Sequence, residues 1–242
     1  MQGSTRLAER NLKELLRDPL SLGIAVGLPL ILLLTLQALG GDDAVFLTPT
    51  FLTPGIVLFA FVMVMFSSAM ILARDRETSL LARFLTAPLR ATDFVSGYSL
   101  PYVLVAVVQA VVLFAVGAML GLRIDGSILW VAVVVVLMAV FFVALGMVCG
   151  AVLTVAQTSG VYAVVLLLTI FGGAWFDLEE IGGVFLTIGD VLPFKHALDA
   201  MRAVMADGAG FGDISGDLYW IAGYTLAAVA AAVATFRRRM LE

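Results

Sequence analysis

Charge is scarce in this chain of 242 residues: Asp, Glu, Lys and Arg make up 13% of it, against about 25% in soluble domains. That shortage excludes an ordinary soluble enzyme and a disordered protein. A single cysteine excludes a disulfide framework. One cysteine and one histidine leave too few ligands for a His/Cys zinc site. The two lysines, Lys13 and Lys195, follow Leu12 and Phe194. A phosphate-binding P-loop needs Gly-Lys followed by Ser or Thr, so no ATP site of that kind can be drawn. There is no HExxH motif, and the net charge of −4 argues against a nucleic-acid footprint. Apolar residues fill the place of charge: they are 62% of the chain, and the mean hydropathy is +1.09. The composition is that of a polytopic membrane protein.

A helix needs about 20 apolar residues to cross the hydrocarbon core. Six runs qualify or come close: 20–39, 54–73, 97–121, 128–153, 160–176 and 219–236. None contains Asp, Glu, Lys, Arg or His, as the cost of a charge at the bilayer centre requires. The runs lack the in-out alternation of barrel strands. Lys and Arg set the orientation. With six spans both termini share a side, and that side holds Arg6, Arg10, Lys13, Arg17, Arg74, Arg76, Arg83, Arg90, Arg237, Arg238 and Arg239. Arg123, Lys195 and Arg202 fall opposite. The sequence therefore predicts a plasma-membrane protein with cytoplasmic termini and acidic outer loops.

Three segments outside the spans have structure of their own. Residues 4–18 read as an interfacial amphipathic helix with Ala8, Leu12, Leu15 and Leu16 on one face. In the loop 74–96, Leu80, Leu81, Phe84 and Leu85 form an apolar ridge at helical spacing, with Arg76, Glu77 and Arg83 beside it. Pro88 ends that helix near Ala87, and Thr92 or Asp93 is a candidate cap for span three. The ridge suits docking to a partner or lying in the headgroups; its pattern fits both. The outer segment 177–217 reads as short helices broken at Gly182, Gly183, Gly189 and Pro193, with a stripe of Phe194, Ala197, Leu198, Met201 and Met205. It is expected to dip into the membrane against spans five and six. Residues 154–159 are uncharged and read as a tight turn. Gln109, deep in span three, reads as an interhelical hydrogen bond, Cys149 as a small apolar residue, and His196 as a packed or surface histidine. Three GxxxG pairs, Gly23/Gly27, Gly117/Gly121 and Gly146/Gly150, permit close helix contact.

The spans carry no ionisable residue, which weighs against a proton-coupled carrier. A carrier or channel coupled through backbone carbonyls, or a non-transporting membrane scaffold, stays open on the residues alone.

The order of these features resembles the ABC-2 type permeases, the membrane subunits of ABC exporters. A charged leader is followed by six spans. Glu77 after span two precedes Ser79 to Leu81, Arg83, Leu85 to Thr86 and Pro88. Later come Gly172 to Phe176, Glu179, Leu192, Pro193 and Arg202. The resemblance implies an all-α membrane protein forming one permease domain over 1–242. Its expected parts are six transmembrane helices, a connecting helix at 4–18, a coupling helix at 76–87 and an outer re-entrant segment. It implies a dimer with a second copy or paralogue, and a separate P-loop ATPase subunit that holds ATP and Mg; this chain itself would be no enzyme and carry no cofactor. Coupling would fall to Glu77, Leu80, Leu81, Arg83, Phe84, Leu85 and Pro88. The substrate path would be lined from spans two and five by Phe59, Met63, Phe66, Met70, Tyr162, Thr169 and Trp175, each of which equally reads as a packed or lipid-facing side chain. An uncharged lining rich in aromatics and Met suits a lipophilic or amphipathic small molecule or lipid.

Overall fold

Apolar runs without water must satisfy their backbone internally, and in the computed structural model they do so as helices. The structure describes residues 2–39, 45–77, 91–176 and 178–239; residues 78–90, which include all but the start of the helix expected at 76–87, lie outside them. The helices are α1 (Gln2–Leu16), α2 (Pro19–Leu39), α3 (Pro49–Glu77), α4 (Ala91–Met119), α5 (Ile128–Val152), α6 (Val155–Ile170), α7 (Leu178–Ile181), α8 (Gly183–Val191), α9 (Pro193–Asp207) and α10 (Phe211–Arg239). No strand occurs among the described residues.

Among the described residues, five helices are long and apolar enough to cross a membrane: α2, α3, α4, α5 and α10. The fifth expected span is shorter and displaced. It starts at Val155 because Thr154 and Gln157 form a capping box: the Thr154 side chain accepts from Gln157 N and the Gln157 side chain from Thr154 N. The stretch 154–159 is thus the opening of a helix rather than a turn. Helix α6 ends at Ile170, and residues 171–176 continue as turns. Its 16 residues rise roughly 24 Å, less than the hydrocarbon thickness of about 30 Å. Helix α4 begins at Ala91, so Thr92 and Asp93 lie inside its first turn instead of capping it.

Helix α3 is the central strut. Every residue from Leu52 to Val62 is buried, on all sides of the helix, so this segment has no lipid-facing stripe. Against it lie α2, α4, α5, α6 and α9. The α3–α5 seam depends on glycine. A Cβ on Gly146 would stand 2.5 Å from the Met65 carbonyl oxygen, and one on Gly150 the same distance from that of Ala69. The Gly146/Gly150 pair therefore serves contact within this chain. Gly23 and Gly27 have nothing within 4 Å of a built Cβ.

Prolines inside α2 and α4 explain the two most deeply buried amide side chains. Proline has no N–H, so the carbonyl four residues earlier loses its helical donor. For Pro101 that carbonyl belongs to Gly97, and for Pro29 to Ala25. Each is bonded from another helix: Asn11 Nδ2 donates to Gly97 O at 3.3 Å, and Gln109 Nε2 donates to Ala25 O. Both amides are fully buried. The interhelical bond expected of Gln109 is present. Asn11 redirects α1: its buried face is Leu7, Ala8 and Asn11 against α4, while Leu16, expected on that face, is 61% exposed.

The outer segment forms α7, α8 and α9. Gly182 and Gly183 both have φ of 64° and break it between α7 and α8, and Pro193 starts α9 after an extended Leu192. Gly189, expected as a break, lies within α8 and is its buried residue. The predicted stripe of α9 is buried in full, and Phe194 stacks on Phe142 at 5.5 Å. Helix α9 packs on α3, α5 and α10 rather than along α6, which it meets at the end, where Gly172 abuts Phe194.

Two outcomes follow from this packing. Gln109→Leu is expected to destabilise the protein by about 1–3 kcal/mol, the cost of a bare buried carbonyl. In a Pro29→Ala background residue 29 regains an N–H for Ala25, so most of that cost vanishes. A double-mutant cycle of unfolding in detergent measures the difference, and equal costs in both backgrounds refute the account. Gly146→Val is expected to lower the unfolding midpoint by several degrees through overpacking, while Gly23→Ala leaves it unchanged.

Candidate functional site

The last turn of α3 carries Asp75, Arg76 and Glu77 in succession, and each side chain bonds a different part of the bundle. Asp75 is buried. Its Oδ2 accepts from Tyr98 Oη of α4 at 2.5 Å and from Arg10 Nη2 of α1 at 3.4 Å. Tyr98 is fully buried and stacks on Phe94, which also meets Phe236 of α10 at 4.9 Å. Arg10 also bonds Glu14 at 3.1 Å. Burial is the largest single influence on Arg10 and opposes its charge, but Asp75, Tyr98 and Glu14 together outweigh it and raise the Arg10 pKa.

Arg76 reaches the other way. Its Nη1 donates to Gly150 O at 2.9 Å and Leu153 O at 3.1 Å. These carbonyls end α5, where a cation also meets the negative end of the helix dipole. Glu77 Oε1 accepts from Val155 N at 3.0 Å, at the first residue of α6, which is the favourable place for an anion. Three consecutive residues thereby tie the end of α3 to α1, α4, α5 and α6. The alternation of charge follows helix geometry: successive residues point about 100° apart, so each meets a different neighbour.

At the opposite end of α3 a second fastener operates. Arg202 of α9 donates from Nη2 to Gly173 O at 3.0 Å and Phe51 O at 3.3 Å, with its guanidinium 3.5 Å above the Phe51 ring. Nearby, Lys195 bonds Asp199 at 2.8 Å and Asp190 at 3.3 Å. Burial works against the Lys195 charge; the two carboxylates prevail and raise its pKa. Burial raises the pKa of Asp199. His196 lies 2.7 Å from Asp217 Oδ1 through Nδ1 and 3.0 Å from Asp190 O through Nε2.

Comparison with known proteins decides the family. The family model described as ABC-2 type transporter matches residues 5–206. A daunorubicin resistance ABC transporter permease protein of Streptomyces coeruleorubidus is 31% identical over 207 residues, which cover 81% of this chain and 72% of the relative. The chain belongs to the ABC-2 type transporter permeases. It is a transporter membrane subunit, as the resemblance implied.

Of the residues expected to couple this permease to an ATPase, Glu77 lies at the junction; Leu80, Leu81, Arg83, Phe84, Leu85 and Pro88 lie outside the described residues. The residues expected on the substrate path fall on α3, on α6 and, for Trp175, in the turns that follow α6. Phe59 meets the Trp175 ring edge-on at 5.9 Å, and Phe66 meets Tyr162 at 4.8 Å. Met63, Phe66 and Met70 form the face of α3 that the chain's own helices leave partly open, whereas Thr169 is fully buried with its hydroxyl donating to Leu166 O at 2.7 Å. Asp75, Tyr98 and Asn11 were not singled out by pattern, and Arg76 stood out only as a polar companion of the apolar ridge. Two signals could have found them: four consecutive charged residues, Arg74 to Glu77, after an apolar run, and a proline four residues after Gly97.

Arg76→Ala removes both hydrogen bonds to the α5 carbonyls. The expected loss is about 1.5–3 kcal/mol, the usual range for bonds to a charged group. Tyr98→Phe removes one bond from a buried carboxylate that keeps Arg10, and should cost less. Chemical unfolding in matched detergent checks the order, and a neutral Arg76→Ala refutes the cap.

Proposed function

We propose that this permease forms the membrane path of an exporter for a lipophilic or amphipathic small molecule or lipid. The energy comes from ATP and Mg held by a separate P-loop ATPase, which docks on the helix over 76–87. Two permeases pair so that the open face of α3 and the facing side of α6 line the path between them, with Phe59, Met63, Phe66, Met70, Tyr162, Thr169 and Trp175. The observation that carries the reading is the junction at Asp75, Arg76 and Glu77. It stands at the start of the docking segment and is bonded to four other helices, so a push on that segment is shared by the bundle. The relative's role in daunorubicin resistance supports a small-molecule cargo, as does a stripe that is apolar and uncharged.

In this reading α6 completes a sixth crossing and both termini are cytoplasmic. The support is its register along α3. Val155 is bonded to Glu77 at one end of α3, while the Ala174 carbonyl abuts Gly55 near the other. Those positions on α3 are 22 residues apart by number, roughly 33 Å. The turns at 171–176 supply the depth that a 16-residue helix lacks.

The test uses the permease co-expressed with its neighbouring ATPase and reconstituted in lipid. Phe84→Ala should weaken ATPase docking by on the order of tenfold, because an apolar anchor is worth about 1.5–3 kcal/mol. Glu77→Gln should leave docking intact and reduce substrate-stimulated hydrolysis. If Phe84→Ala docks and couples like the parent, the ridge faces lipid and the proposed coupling role is wrong.

A further inference from the structure

The last carbonyls of a helix lack helical donors, and at the end of α8 side chains of the next two helices serve them. Asp190 O lies 3.0 Å from His196 Nε2 of α9, and Val191 O accepts from Tyr224 Oη of α10 at 2.7 Å. The other ring nitrogen of His196, Nδ1, is 2.7 Å from Asp217 Oδ1 of α10. The ring is thus a bridge between α8 and α10, carried on the first turn of α9. Trp220 stands beside it with ring centroids 5.3 Å apart, and the imidazole is 20% exposed. Both oxygens are acceptors: a backbone carbonyl has no proton to give, and an ionised carboxylate has none either. Neutral imidazole has one N–H, so it serves one oxygen and turns a bare nitrogen towards the other. Imidazolium has two and serves both. The charged groups around the ring are Asp217 on α10, with Asp213 one turn earlier, Asp190 on α8, and Lys195 and Asp199 on α9. Lys195 is committed to Asp190 and Asp199, and Asp213 to Gly210 N. Helices α3 and α5 also pack on α9 and bring no charged residue to this end. The end of α8 adds the negative pole of a helix dipole. His196 is the one histidine of the sequence, and histidine is the side-chain type that ordinarily changes charge between pH 5 and 8.

We propose that His196 is a pH-sensitive clasp between α8 and α10, complete when the ring is protonated and open at α8 when it is not. The sign follows from the two bonds. The one to Asp217 is shorter and charge-assisted, so it keeps the remaining proton, and the nitrogen facing Asp190 O is left bare. The clasp is therefore intact below the titration of the ring and loosens α8 as pH rises through it. Helix α8 leans on the end of α6, where Phe185 stacks on Phe171 at 5.2 Å, so the release reaches that end of α6. The clasp goes beyond the export reading and does not depend on it.

The test uses the full permease in phosphatidylcholine nanodiscs without any ATPase. Hydrogen exchange of the α8 amides is followed from about pH 5.5 to about pH 8.5, across the ordinary imidazole range, with the intrinsic pH dependence of exchange divided out. Nitrogen-15 labelling of the single histidine reports the ring titration of the same protein by solid-state NMR. Exchange in α8 is expected to be about fivefold faster on the alkaline side, the size of one hydrogen bond, with a midpoint that coincides with the ring titration. Two variants should lose this pH dependence in opposite ways. His196→Phe has no N–H to give, so α8 should exchange fast at both ends of the range; His196→Gln, which does not titrate, gives a second, pH-independent reading should the first fail to fold. Asp217→Asn can donate to a bare Nδ1, which frees the one proton of the neutral ring for Asp190 O, so α8 should stay protected at both ends. Equal α8 exchange across the range in the parent, a midpoint apart from the ring titration, pH dependence that survives in His196→Gln, or parent-like opening of Asp217→Asn at alkaline pH overturns the clasp.

Discussion

In hydrocarbon, every backbone carbonyl must keep a donor and every charge must stay near an end. The bundle follows from those two demands. Along α3 they leave only close packing as a fastener, and eleven consecutive buried residues from Leu52 to Val62 supply it. At the ends, where charge is tolerated, the same helix is tied by ionic groups: Asp75, Arg76 and Glu77 at one end, and Arg202 from α9 at the other. A strut packed on every side transmits displacement along its axis, because its neighbours hold it against bending.

The same demands explain where polar residues occur within the apolar part. Proline is tolerated in membrane helices when something re-satisfies the carbonyl it frees. Asn11 and Gln109 serve the carbonyls that Pro101 and Pro29 free, and do so from different helices. They also fix register. Asn11 pins α1 to α4 one turn before Pro101, and Gln109 pins α2 to α4 one turn before Pro29. Since α2 is otherwise little enclosed, the Gln109 bond carries a larger share of its attachment than a hydrogen bond would in a crowded core.

Much of this was legible beforehand, and the misses have physical causes. The uncharged runs located five crossing helices because exclusion of charge is the strongest signal a membrane imposes. Their ends were less legible. Helices α3 and α10 extend beyond the apolar runs, since polar residues are free to continue a helix outside hydrocarbon. The displaced α6 was signalled by Thr154 and Gln157, whose capping box outranks the uncharged stretch that suggested a turn. The face of α1 was misjudged because a hydrophobic count passes over Asn11, whose burial depends on a proline in another helix. The junction was half legible: Glu77 stood out through its position after span two, but the partners of Asp75 and Arg76 are distant in sequence. The path residues were readable as a stripe on α3 at positions 59, 63, 66 and 70. Their partners on α6 and in the turns after it became specific only when Phe66–Tyr162 and Phe59–Trp175 were brought together.

The distribution of rigidity then limits which parts can separate. At the α3–α5 seam, glycines bring backbones close enough that an added Cβ would meet carbonyl oxygen at 2.5 Å, and Arg76 locks the end of the same pair. Helix α9 is pinned to α3 by Arg202 and to α5 by Phe194 on Phe142. These three helices share backbone contact, ionic ties and aromatic packing, so their relative motion has to break several interactions at once. Helix α6 differs: it is tied at its start by Glu77 and at its far end near Gly55, and between these points it meets α3 through aromatic side chains with rotamers of their own. Helix α2 has fewer ties still. Motion that opens a path is therefore least costly beside α6 and α2, and the proposed substrate path lies against α6.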